Sequence, residues 1–115
     1  MKKAGYDSYL VCRPAKNGFD FPQQDFVWEG LEGSRINVHR SDENYNSVWG
    51  HAAEELKDFL EQKKEEEVTL FLWGVGDHGG GPSRKDLRDL KEMIEEDGNV
   101  CIFHSTPEAY FAELA

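Results

Sequence analysis

The chain has 115 residues, 13 basic and 23 acidic, for a formal charge of −10 with neutral histidines. That balance argues against a nucleic-acid backbone or an anionic membrane surface as the main partner and leaves a neutral ligand, such as a sugar, compatible. With 38% apolar and 12% aromatic residues, the chain can build a core, and residues 1–115 are read as one domain or part of one.

No apolar run approaches the ~20 residues of a membrane span. Two lysines open the chain, but no hydrophobic segment of signal-peptide type follows them. Cys12 and Cys101 fit no metal-ligand or redox spacing and are expected as buried free thiols. These features predict a cytoplasmic protein.

In chain order, Ser8–Cys12 is a short β-prone run ending at Arg13-Pro14. Ala15–Gln24, with Asn17-Gly18 and Pro22, reads as a loop that Phe19 and Phe21 pin to the body. Asp25–Glu29 and Arg35–His39 both alternate and are separated by the glycine-bracketed Gly30–Ser34, the pattern of a β-hairpin. Ser41–Asn46 is polar and loop-like. From Val48 the period changes: Trp49, Ala52, Ala53, Leu56, Phe59 and Leu60 recur at helical spacing, which predicts a helix from about Ser47 to about Lys64.

Glu65–Glu67 reads as solvated surface. Val68–Trp73 is nearly continuously apolar, as in a strand covered on both faces of a parallel sheet. Ser83 and Asp86 form a capping-box-like start for a helix striped by Leu87, Leu90 and Ile94, with Gly98 as its left-handed stop. Val100–Phe103 is a second buried-type strand. Thr106-Pro107-Glu108 opens a last helix whose apolar side is Tyr110, Phe111 and Leu114. The alternation of helices and strands predicts an α/β fold, a partial parallel sheet with flanking helices plus the hairpin.

Gly74–Pro82 holds five glycines in nine residues, flanking Asp77 and His78. Glycines in such number need a reason, because each costs backbone entropy on folding. In parallel α/β sheets ligands bind beyond the carboxyl ends of strands, so Asp77, His78, His104 and, after an earlier strand, Arg13 could share one face. Three uses of the loop compete. A phosphate cradle does not match G-x-x-x-x-G-K-[ST], and Asp77 opposes an anion. Tight turns and close packing are a purely structural use. A catalytic use makes Asp77 one of the two carboxylates that flank a glycosidic bond, about 5 Å apart in retaining enzymes.

Trp28, Trp49 and Trp73 lie on apolar stripes and are expected in the core rather than against a sugar. His39 and His51 read as surface or hydrogen-bonded residues, no metal-binding histidine pattern occurs, and nothing favours a site role for Glu29 or Glu32 over solvent.

Three segments in order carry a family resemblance. Leu70–Ser83 resembles the GDHGGGPT-type segment of bacterial glycoside hydrolase family 38 α-mannosidases. Phe26–Ile36 is similar to that family's F-W-W-E-G-x-D-G-S-R-V hairpin, and His104–Phe111 to its S-T-P-E-x-F-F segment. The resemblance implies a retaining, zinc-dependent exo-glycosidase acting on terminal α-mannosides, with a parallel α/β catalytic domain of about seven strands.

It places Asp77 at the acid/base carboxylate, Arg13 near a substrate-site arginine and His78 beside the sugar. The family's H-x-D zinc motif and nucleophilic aspartate belong before residue 1, and its H-H-D-A-type zinc motif beyond residue 115. Glu32 and Ser83 stand where Asp and Thr are usual. The chain is therefore expected to be the second half of the family's N-terminal catalytic domain, a cut piece or a truncated reading frame. Alone it should bind no zinc, lack glycosidase activity and self-associate through open sheet edges. A non-catalytic carbohydrate-binding or interaction domain is the alternative.

Overall fold

Alternating residues around a glycine turn do build the predicted hairpin. In a computed structural model, which describes residues 1–14, 18–41, 45–77, 80–96 and 98–115, β2 (Asp25–Glu29) and β3 (Arg35–Arg40) are antiparallel. Asp25 stands opposite His39 and Glu29 opposite Arg35. The Gly30 N–H donates to the Ser34 carbonyl at 2.8 Å and closes the turn, and the Arg35 and Glu29 side chains pair across the strand ends. On the other side of β3, β1 (Ser8–Val11) runs parallel to it, giving the sheet order β1-β3-β2. The fold is α/β; among the described residues it is a three-stranded mixed sheet with one parallel pair and three α-helices.

The described residues form two compact units, Met1–Glu43 with Thr106–Ala115, and Asn44–Ser105. The first holds the sheet and α3 (Pro107–Leu114). Thr106 caps α3 by accepting from the Ala109 N–H at 3.3 Å, with Pro107 at the first helical position. Ile36 and Val38 from β3 and Tyr110 and Phe111 from α3 are buried.

A polar cluster accompanies them: the Tyr110 hydroxyl donates to Asp25 Oδ2 at 3.1 Å and lies 3.0 Å from His39 Nδ1, which is itself 2.8 Å from Asp25 Oδ1. Among the described residues His39 Nε2 is buried without a partner. Phe21 stacks on Phe26 at 5.2 Å and meets Phe19, so the loop is pinned as its aromatics predict. The buried Arg40 guanidinium lies over Phe21 and donates to the Pro14 carbonyl.

In the second unit, α1 (Ala52–Gln62) and α2 (Arg84–Glu95) bury Ala52, Leu56, Phe59, Leu90 and Met93 against one another. Phe71, Trp73 and Ile102 pack on that cluster. Ser83 caps α2 as read, accepting from the Asp86 N–H at 3.0 Å.

Several expectations are corrected in this unit. No ladder pairs Val68–Trp73 or Val100–Phe103 among the described residues, and the parallel pairing lies at β1 and β3 instead. Phe71 and Trp73, two residues apart, share the face packed on the helices, as in an extended segment. The helices thus cover one face, and no segment among the described residues supplies ladder partners.

Helix α1 starts at Ala52 rather than Ser47, because the N–H groups of Gly50 and Ala52 donate to Asp86 and turn the chain before the helix. Trp49 is therefore outside the helix and 70% exposed, and Trp28, on the outer part of β2, is 52% exposed. Leu87 of the α2 stripe is also exposed. Helix α2 ends with an extended Glu96, and Gly98 is not left-handed, so it is no cap. Cys12 is half-buried and Cys101 exposed, since among the described residues no strand pairs with the stretch around Cys101.

Candidate functional site

The glycine loop is organised by the segment preceding α1. Ser47 and Gly74 exchange two hydrogen bonds: the Ser47 N–H donates to the Gly74 carbonyl at 3.0 Å, and the Gly74 N–H donates to Ser47 Oγ at 3.1 Å. Gly74 has φ 123°, a conformation that a side chain disfavours. Two residues on, Gly76 lies against Asn46, and a Cβ built on it would come within 2.7 Å of Asn46 Cβ. That approach admits only glycine without a shift of the neighbouring segment. One position further, the Tyr45 hydroxyl donates to Asp77 Oδ1 at 3.0 Å. Residues 45, 46 and 47 thus meet residues 77, 76 and 74.

Asp77 itself has φ 66°, left-handed for a residue with a Cβ. Asp and Asn tolerate this region better than most side chains. Its carboxylate is solvent-accessible, and Tyr45 is 42% exposed beside it. An accessible carboxylate with one oxygen held by a hydroxyl is equipped to accept or give a proton at the other.

A second carboxylate supports this strap from behind. Asp86 is 1% exposed. It accepts from the Ser83 hydroxyl at 2.6 Å, the Gly50 N–H at 2.9 Å and the Ala52 N–H at 3.0 Å. Burial pushes its carboxyl up, but the hydrogen bonds from Ser83, Ala52 and Gly50 and the nearby Lys85 charge outweigh that, and the net direction is down. Lys85 also donates to the Gly50 carbonyl at 2.7 Å. A side chain of α2 therefore caps the start of α1 and anchors the segment that carries Tyr45.

Of the residues singled out in the sequence, Asp77 and His104 lie in the Asn44–Ser105 unit. His104 is exposed, its ring 6.1 Å from that of Trp73. Arg13 is exposed in the other unit. His78 lies outside the described residues. Tyr45 and Asn46 were missed because a polar stretch has no period, and Ser47 because it was expected to start the helix; their one signal is a tyrosine placed just ahead of a helix. Among the described residues no group of three or more His, Cys, Asp or Glu side chains is placed to hold a metal, so these residues do not fit a zinc site. No helix among them is long and apolar enough to cross a membrane.

Comparison with known proteins gives a consistent set of relatives. The profile of the glycosyl hydrolases family 38 N-terminal domain matches residues 1–115. Alpha-mannosidase 2C1 of Mus musculus is 35% identical over 117 residues, covering 99% of this chain and 11% of the relative. Its Homo sapiens counterpart is 35% identical over 96 residues, covering 82% and 9%. Alpha-mannosidase of Saccharomyces cerevisiae is 31% identical over 103 residues, covering 84% and 10%. The chain spans about a tenth of the length of these relatives. No solved structure matches.

Proposed function

The chain belongs to the glycosyl hydrolase family 38 N-terminal domain family, and from that premise we propose that it supplies the acid/base loop of a retaining α-mannosidase, with Asp77 as the proton donor and acceptor. The observation that carries this reading is the presentation of Asp77: solvent-accessible, left-handed, and held by Tyr45 on a loop whose glycines allow the close approach.

In such a reaction Asp77 in its acid form gives its proton to the glycosidic oxygen as the bond to the sugar breaks. Its carboxylate then takes a proton from the water that releases the sugar. The attacking carboxylate, the second member of the pair, is provided outside the chain's glycine loop. When bound, zinc supplies Lewis-acid polarisation and sugar orientation. The described residues do not form its site. In the same reading His78, within the glycine motif, and Arg13, near the position of a substrate-site arginine, contact the sugar.

An assay of the 115-residue chain on an aryl α-mannoside with added zinc tests the division of labour. No turnover above a zinc blank is expected, because a retaining mechanism needs a nucleophilic carboxylate besides the acid/base. Measurable turnover would overturn it.

A further inference from the structure

We propose that Tyr45 is a positioning residue for Asp77: by donating to Oδ1 it directs the transferable proton to Oδ2 and stabilises the carboxylate that proton transfer leaves behind. The inference rests on the acid/base reading of Asp77.

The hydroxyl of Tyr45 donates to Oδ1 at 3.0 Å, and a carboxyl oxygen that accepts such a bond is the poorer place for the acid's own proton. The acid form of Asp77 therefore carries its proton on Oδ2. When that proton moves to the glycosidic oxygen, the C–O bond to the sugar breaks with its electron pair staying on the leaving oxygen. Asp77 becomes an anion at the same moment. A hydrogen bond to a charged acceptor is roughly twice as strong as a neutral one, so the Tyr45 bond strengthens along the reaction and stabilises the transition state more than the ground state.

The register makes this contact a built feature. Tyr45 is two residues from Ser47, which exchanges two hydrogen bonds with Gly74, and next to Asn46, which closes on Gly76. The φ of 66° at Asp77 sets the direction from which its side chain leaves the backbone. Beyond residue 47, the segment is held again where Gly50 and Ala52 donate to the buried Asp86.

The test uses the full-length protein that carries this chain, with two substrates of different leaving group. For 2,4-dinitrophenyl α-mannoside, whose leaving group needs little protonation, Tyr45→Phe should retain its kcat/KM, which reports the step in which that group departs. For an α-linked mannobiose, whose leaving oxygen needs the proton, Tyr45→Phe should lose about tenfold in kcat/KM. An equal loss of kcat/KM for both substrates, or none for the mannobiose, overturns the positioning role.

Asp77→Ala is run beside it and should show the same leaving-group dependence of kcat/KM more strongly, while its kcat falls for both substrates because sugar release then lacks a base. If Asp77→Ala shows it and Tyr45→Phe does not, the role of Tyr45 fails alone. If Asp77→Ala shows none, or the wild-type protein does not turn over either substrate, the acid/base reading fails, and the role of Tyr45 with it. Tyr45→Phe removes a single oxygen from a 42% exposed ring, so folding is preserved. Unchanged amide shifts at Ser47 and Gly74 verify this.

Discussion

Asp86, in the first turn of α2, accepts the N–H of Ala52, the first residue of α1, at 3.0 Å. One helix thus provides the cap of another, in a place where His51, the residue at the capping position, has no side-chain bond to the helix backbone. The same carboxylate holds Gly50 and Ser83, so three donors depend on it.

Replacing Asp86 by Ala should therefore be the most damaging polar substitution in the chain. It strands the N–H groups of Gly50 and Ala52 and removes the Ser83 pair, at roughly 1.5–3 kcal/mol for a buried bond to a charged acceptor, with the bonds partly sharing that loss. Urea unfolding at neutral pH should show a fall of about 3 kcal/mol. A change below about 0.5 kcal/mol would contradict the assignment.

The same residue sets an acid limit. The folded carboxyl of Asp86 is held below its ordinary value of 3.8, so the folded state binds fewer protons than the unfolded state in that range. Its contribution is then complete above the unfolded value and is lost as pH falls through the lower folded one. Stability measured between pH 5 and pH 2 should drop in wild type, and Asp86→Asn should flatten that part of the curve.

Gly76 and Gly81 form a matched pair for testing the loop. A Cβ at Gly76 meets Asn46, whereas at Gly81 it meets open space. Gly76→Ala should cost about 1–3 kcal/mol by overpacking and shift the amide resonances of Ser47 and Gly74, and Asn46→Gly should restore part of the loss. Gly81→Ala should leave both readouts near wild type.

In the sheet unit, Tyr110→Phe removes the hydroxyl that touches Asp25 and His39. Leaving these groups short of a partner should cost about 1–2 kcal/mol in thermal or urea unfolding. An unchanged midpoint would show that the cluster is not held through Tyr110.

Tryptophan and phenylalanine separate the expected core from the actual one. Trp49, expected in the core, is 70% exposed, while Phe59 is 5% exposed. Trp49→Ser should stay within about 0.5 kcal/mol of wild type, and Phe59→Ala should lose about 3–5 kcal/mol, both read by urea unfolding.

The parts of the fold that were legible are local ones. The hairpin follows from alternation around Gly30–Ser34, and the starts of α2 and α3 follow from Ser83 and from Thr106-Pro107, each a contact within a few residues. What escaped depends on distant partners. Tyr45 and Asp77 are 32 residues apart, and Gly50 and Asp86 are 36 apart, so neither pairing leaves a trace in periodicity. Asp86 was legible as the partner of Ser83 at the start of its own helix but not as the cap of α1. Val68–Trp73 and Val100–Phe103 look like paired strands because a short apolar run has the same composition whether it joins a ladder or lies extended on helices. At the candidate site, the glycines and the family motif single out Asp77 as the position to test. The residue that holds it was not.

The central claim is that Asp77 serves as acid/base, and product analysis of Asp77→Ala in the full-length protein tests it most directly. With 2,4-dinitrophenyl α-mannoside and added azide, a nucleophile that needs no base to remove a proton, turnover should rise and the product should be α-mannosyl azide, since azide enters from the face the leaving group vacated. Activity unaffected by the substitution, or a crippled variant that azide neither accelerates nor converts to α-mannosyl azide, would contradict the account.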